Sequence, residues 1–157
     1  MTRWLSSLLV VFLLPLVAAD LTGQTRRQAQ FDATKRMFAT ALAQDPDDLN
    51  ALYNLSRLVL DIVQVDSAKT LLERALKIEP ENALFLVERG RVHLEDPDKI
   101  ELKDARKYLE MAYELEPDLL TAQYYLAIAY IYPIRGRRLI PEAQAMLNAV
   151  LDINPQY

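Results

Sequence analysis

Few side chains in this 157-residue sequence have the types and spacing that catalysis or metal binding requires. His93 is the only histidine, and as a general base it would need a nucleophile or a second carboxylate held nearby. As a metal ligand it would need several carboxylates converging on it, and nothing in the spacing requires that. Cysteine is absent, which excludes thiol catalysis, disulfides and cysteine metal sites. We predict no catalytic residue, no bound metal and no cofactor.

Acidic residues flank proline in three turns, Asp45–Asp47, Glu79–Glu81 and Glu116–Asp118. Such pairs could serve a weak calcium site, but helix boundaries explain them better. Proline ends one helix, and an acid near the start of the next interacts favourably with the helix dipole. The turns therefore predict where helices end and begin.

Composition excludes several other classes of function. The chain carries a formal net charge of −4, whereas a phosphate-binding surface is basic, so we predict no nucleic-acid partner. Gly23, Gly90 and Gly136 are the only glycines, too few for a phosphate-binding loop or a dinucleotide fingerprint. The length suits one compact domain.

The sequence pattern of the helices that must position any site is clearest between Leu49 and Pro80. Pro80 lies 34 positions after Pro46, a period typical of a repeated helical pair. Apolar and small residues recur at helical spacing in both helices of this pair. They are Leu52, Leu55, Ser56 and Val59 in the first helix, and Ala68, Leu72 and Ala75 in the second.

The same pattern recurs twice downstream. In each helix pair, the first helix has a small residue at one equivalent position, and the second helix has a triplet of small, large and small residues or a similar one. Small residues are needed where the two helices cross closely, and large ones fill the gaps between them. These residues are Ser56, Gly90 and Ala127, followed by Ala105, Leu109 and Ala112, then Ala143, Leu147 and Val150. In this pattern the chain resembles the tetratricopeptide repeat (TPR) family. It departs from the family at Arg89, where a large apolar residue is usual, and at His93, where an aromatic residue is usual. Because the family uses the position of His93 for packing, we expect His93 to have a structural role.

The resemblance implies an all-α fold, a short solenoid of helical hairpins, over residues 31–157. A half-repeat at residues 31–44 would cap the array, followed by three helix pairs at 49–80, 83–117 and 120–155. We expect residues 20–30 to form a polar linker that leads into the capping helix.

In a stacked array the first helices line the concave side. Asparagine can hold the backbone of an extended peptide, and tyrosine can bury apolar side chains while offering a hydroxyl. We therefore predict a groove that binds a protein or peptide partner. Its residues would be Asn50, Tyr53, Asn54, Arg57, Glu88, Arg91, Tyr124, Tyr125, Ile128 and Tyr132.

Several alternatives stay open for this groove. Its charged rows could simply be solvated, and its tyrosine end could form a pocket in a periplasmic small-ligand-binding or transporter-associated subunit. Some TPR proteins bind the C-terminal carboxylate of a peptide with basic residues and asparagine on successive first helices. This chain lacks that site, because only Asn54 matches one of those residues, and Leu84 and Glu88 stand where the basic residues would be. Arg135, Arg137 and Arg138 form a basic loop that could meet an acidic partner or anionic lipid, or be solvated.

Residues 1–19 resemble a secretory signal peptide. Arg3 precedes an apolar run from Trp4 to Val17, and small residues end the segment at Ala19, before Asp20. We expect cleavage after Ala19 and a periplasmic or secreted protein. The alternative is a membrane anchor formed by residues 4–19, although the run is short for a span.

The last helix predicts an interface at the C-terminal end. Met146, Ala149 and Ile153 correspond to residues that earlier repeats would use to contact the next repeat, such as Leu71 and Ile78. Uncovered apolar residues lose burial energy, so we expect a second copy, forming a homodimer, or a larger partner to cover them. The alternative is that residues 155–157 fold back over part of this stripe.

Overall fold

A computed structural model describes residues 5–131 and 141–156. Within that part of the chain, seven α-helices follow one another and no strand occurs. They are α1 (Leu5–Gln44), α2 (Leu49–Leu60), α3 (Val65–Ile78), α4 (Ala83–Glu95), α5 (Leu102–Leu115), α6 (Leu120–Ile131) and α7 (Pro141–Ile153).

The helices stack as consecutive hairpins. The hairpins α2–α3, α4–α5 and α6–α7 each pack internally, and α3 packs on α4 as α5 packs on α6. The first helices also contact each other, because α4 touches both α2 and α6. α1 packs on α2 and begins the array. The all-α hairpin solenoid that the sequence predicted is therefore confirmed.

Small residues lie where the paired helices cross. Ser56, Gly90 and Ala127 are buried on the first helices, as the repeat pattern predicted. The second-helix triplets are fully buried in α3 and α5. Two apolar clusters form the core, one around Leu52 and Leu72 and the other around Leu86 and Leu109.

The helices end and begin at the three proline turns, as the sequence predicted, with α2, α4 and α6 beginning at Leu49, Ala83 and Leu120. Asp48 caps α2 by accepting a hydrogen bond from the Ala51 amide, and Asn82 caps α4 by accepting from the Leu84 and Phe85 amides. The acids that directly follow Pro46 and Pro80 do not provide these caps. A cap must reach the N2 or N3 amide, which only the residue before the helix can do.

The N-terminal helix is longer than expected. Residues 20–28, which we expected to form part of a linker, are helical within α1. Phe38 and Leu42 pack against the first core cluster, and Lys35 Nζ donates to Gln64 Oε1 at 3.1 Å. These contacts dock the C-terminal part of α1 on the first hairpin. None of the described helices combines the length and apolar character needed to cross a membrane.

Gly90 marks the closest helix approach in the second hairpin. A Cβ added there would lie 2.5 Å from Leu109 Cγ, and Leu109 is fully buried. We predict that Gly90→Ala lowers the free energy of unfolding by about 1–3 kcal/mol, the usual cost of overpacking a core.

Urea denaturation followed by circular dichroism measures this effect. Gly23→Ala is the matched control, because a Cβ at Gly23 meets nothing within 4 Å and alanine favours helix. A Gly90→Ala protein as stable as the control would contradict the close packing.

Candidate partner-binding surface

The helices α2, α4 and α6 lie side by side, and we call the face that carries the described groove residues the inner surface. Charged residues from α2 and α4 meet there in a cluster that we call the inner ion cluster. It consists of Arg57, Asp61, Glu88, Arg91 and Glu95.

Glu88 and Arg91 form the centre of this cluster. Arg91 Nη1 donates to Glu88 Oε2 at 2.8 Å, and Arg91 Nε donates to Glu95 Oε1 at 3.1 Å. Contacts to α2 complete the cluster, with 3.4 Å between Arg57 Nε and Glu88 Oε1 and 3.4 Å between Arg91 Nη2 and Asp61 Oδ1. The cluster therefore joins two successive repeats.

The central pair of the inner ion cluster is buried. Glu88 is 5% exposed and Arg91 is 7% exposed. Burial raises the pKa of Glu88, and this effect outweighs the attraction of Arg91 and Arg57. Burial alone would lower the pKa of Arg91, but Glu88 and Glu95 hold it above its ordinary value. Little of either side chain is therefore accessible to a partner, and their direct contact with one stays a prediction.

Aromatic rings extend the inner ion cluster at both sides. The Arg91 guanidinium lies 5.0 Å from the centre of the Tyr125 ring, and that of Arg57 lies 5.4 Å from the Tyr53 ring. Such contacts between cations and rings are stabilising. Burial raises the pKa of Tyr125 to about 12. Tyr125 thus links the cluster on α2 and α4 to α6.

The remaining predicted residues are more accessible. Asn50 and Arg57 are exposed, and Asn54 is half-buried with its amide donating to the Asn50 carbonyl oxygen at 2.9 Å. Leu84, which lies on the same face of α4 as Glu88, is also exposed. Half-buried residues complete the surface, namely Tyr53, Tyr124, Tyr125 and Ile128. Tyr132 and the loop with Arg135, Arg137 and Arg138 lie outside the described residues.

His93 is buried, as the structural interpretation predicted, and it heads a cluster that the sequence did not indicate. His93, Glu101 and Asp104 place ligand atoms within 4.8 Å of one another. His93 Nδ1 lies 2.8 Å from Glu101 Oε2, and Lys99 pairs with the same carboxylate. These residues meet only because the loop between α4 and α5 folds back, so helical spacing gives no signal of them.

The chemistry of this cluster favours an ion pair over a metal centre. The Lys99 ammonium already balances the charge of Glu101. A metal-ligating imidazole normally donates its second N–H to an acceptor, whereas His93 Nε2 has no hydrogen-bond partner among the described residues. We interpret the cluster as closing the turn between α4 and α5.

The exposure of the C-terminal stripe resembles that of equivalent residues in the earlier repeats. Ile78, which we assigned to contacts with the next repeat, is 41% exposed within the array, and Leu115 near the end of α5 is 44% exposed. Ile153 is 66% exposed, so exposure at this position is not peculiar to the last helix. Met146 is half-buried against the core, and Ala149 is exposed. The interface through Met146, Ala149 and Ile153 stays a prediction.

Comparison with known proteins agrees with this architecture. Residues 26–95 match the family model described as tetratricopeptide repeat. Together with the stacked hairpins, this match defines the fold as TPR-like. No curated protein matches the chain at a significant level.

Three solved structures illustrate the likeness. The crystal structure of MamA has a TM-score of 0.63 and 19% identity, covering 85% of this chain and 74% of MamA. A thermophilic TPR protein from Thermus thermophilus has a TM-score of 0.68 and 22% identity, covering 87% of this chain and 72% of that one. A mutant of the Thermobaculum terrenum O-GlcNAc transferase has a TM-score of 0.63 and 26% identity, covering 86% of this chain but only 24% of the transferase.

Removing one member of the central pair should destabilise the array. Glu88→Ala leaves Arg91 buried without its nearest carboxylate, and we expect it to lower the free energy of unfolding by about 3 kcal/mol. This value lies at the low end for a broken buried pair, because Glu95 and Asp61 still contact Arg91. Urea denaturation provides the measurement.

The double variant Glu88→Met with Arg91→Met should recover most of that loss, since apolar residues can replace a buried pair without leaving a lone charge. Glu114→Ala, at an exposed position on α5, should change stability by at most about 0.5 kcal/mol. A Glu88→Ala variant as stable as the Glu114→Ala control would mean that the cluster does not stabilise the array.

Proposed function

We propose that the protein is a non-enzymatic interaction module that binds a peptide or protein partner on its inner surface. The inner ion cluster carries this proposal. It fixes polar and aromatic groups from three successive inner helices in one arrangement, and preorganised groups lose little entropy when a partner binds. The TPR-like fold supports a protein partner in general.

The exposed groups of this surface suit an extended peptide. Asn50 and Asn54 supply amide groups at one end, where they can pair with the backbone of a peptide. Arg57 has one side paired with Glu88, and about half of its side chain remains exposed. Tyr125 and Ile128 supply half-buried contact area at the other end, where apolar side chains of the partner can bind.

Leu84 provides the sharpest test of the inner surface, because it is exposed and lies beside the cluster without belonging to it. We predict that Leu84→Lys reduces recovery of partner from the host envelope by about tenfold, as expected when a charge enters an apolar contact. Affinity capture followed by quantitative mass spectrometry measures the recovery.

Met37→Lys is the matched control, since Met37 is an exposed apolar residue of α1 away from the inner surface. It should recover the partner like the wild type. Equal recovery by both variants would mean that the partner binds elsewhere, provided circular dichroism shows the same helical content.

We further propose that the protein is exported, with residues 1–19 removed as a signal peptide. The basic residue Arg3, the apolar run that follows it and the small residues ending at Ala19 support this proposal. N-terminal sequencing of the protein from its host should begin at or near Asp20. Full-length chain recovered only with membranes would favour the alternative, an anchor formed by residues 4–19.

A further inference from the structure

A second concave site lies on the opposite side of α4, between the outer helices α3 and α5. We call it the outer pocket, and its volume is about 340 Å³. Apolar side chains form most of its wall, and Arg89 and Glu73 are its main charged groups. The apolar residues are Leu76, Leu86, Tyr108 and Met111.

Arg89 gives the outer pocket its chemistry. It occupies a position where the repeat pattern has a large apolar residue, yet its side chain is only 12% exposed. Its Nη2 donates to Glu73 Oε1 at 3.1 Å, and its guanidinium lies 5.7 Å from the Tyr108 ring. Its Nη1 is buried and has no hydrogen-bond partner among the described residues. Because Nη1 is inaccessible, a carboxylate that enters the pocket would meet the guanidinium at the edge that pairs with Glu73, and a guanidinium in an apolar setting is suited to bind a carboxylate.

The contact between Glu73 and Arg89 shows how the carboxylate of a ligand could reach Arg89. Its side chain is 57% exposed, so it reaches Arg89 from the solvent side of the pocket. The Glu88–Arg91 pair differs, because both of its members are buried. A carboxylate that approaches from solvent can therefore share Arg89 or displace Glu73, which it could not do at the buried pair.

We propose that the outer pocket docks a peptide segment of a protein partner in which an apolar side chain adjoins a carboxylate. The apolar side chain packs against Leu76, Leu86 and Met111, and the carboxylate binds Arg89. Lys77 also lines the pocket, so its positive charges exceed the negative charge of Glu73 and complement an acidic group.

A peptide fits this site better than a free small molecule. The pocket is at the small end of the range for ligand sites, roughly 300–1,000 Å³, and its wall is shared by the three helices α3, α4 and α5. Exposed apolar surface continues along α5 from Met111 to Leu115. That surface offers contacts to a chain longer than one residue. The outer pocket is independent of the inner surface, so either proposal can fail alone.

The test compares two peptides, acetyl-Ala-Leu-Asp-Ala-amide and its neutral match acetyl-Ala-Leu-Asn-Ala-amide. Each is titrated into the 15N-labelled protein and followed by heteronuclear NMR. We expect the aspartate peptide to bind about fivefold more tightly, as a charge-assisted pair implies, with shift changes at Arg89 Nε–H and at Tyr108. Shifts confined to α2 and α6, or equal affinity for both peptides, would overturn the proposal, as would no binding.

Two variants identify the group responsible. Arg89→Leu introduces the residue type usual in the repeat, so it should fold, and it should reduce the preference for the aspartate peptide to less than about twofold. Glu73→Gln removes the competing carboxylate and should strengthen binding of the aspartate peptide by about threefold. If Glu73 were only structural, its loss would not strengthen binding.

Arg36→Leu is the control for the loss of one positive charge, since Arg36 is an exposed residue of α1. It should keep the full preference for the aspartate peptide. A preference retained by Arg89→Leu, or lost equally in Arg36→Leu, would show that Arg89 does not bind the carboxylate.

Discussion

The architecture depends on one steric constraint, the close crossing of the two helices in each hairpin. At Gly90 this crossing leaves no room for a side chain, because Leu109 occupies the space that a Cβ would need. Ser56 and Ala127 fill the same position in the neighbouring hairpins and are also buried. Small residues at these points let large ones interdigitate at native density. The hairpins then stack with their first helices side by side.

That stacking creates the inner ion cluster. Arg57 and Asp61 come from one hairpin, and Glu88 and Arg91 from the next, so the charges meet only when two repeats dock. A buried pair stabilises little on balance, because desolvation offsets the attraction between the charges. Displacing one member of the pair is costly, however, because the other member then remains as a buried charge without a partner. The cluster therefore favours one register of the repeats and one arrangement of the groups on the inner surface.

The two departures from the repeat pattern have a shared structural basis. Arg89 and His93 are one turn apart on α4, and both lie against Tyr108 of α5. The guanidinium contacts the ring, while the imidazole stacks on it with 5.6 Å between the ring centres and 6° between the planes. These contacts replace the apolar packing expected at both positions. They also leave a charged group in the wall of the outer pocket.

The sequence alone determined the helices of the hairpins, their pairing and the small residues at their crossings. Each of these features repeats within about 34 residues, so periodicity records it directly. Only the tertiary structure decided which charges are buried, because Asp61 and Arg91 lie 30 positions apart and meet across a repeat boundary. The same holds for the contact of Arg89 with Glu73 and for that of His93 with Glu101 across a folded loop. The sequence pattern specifies which face of a helix is apolar. The packing of helices against one another specifies which polar side chains are buried away from water and which groups they pair with.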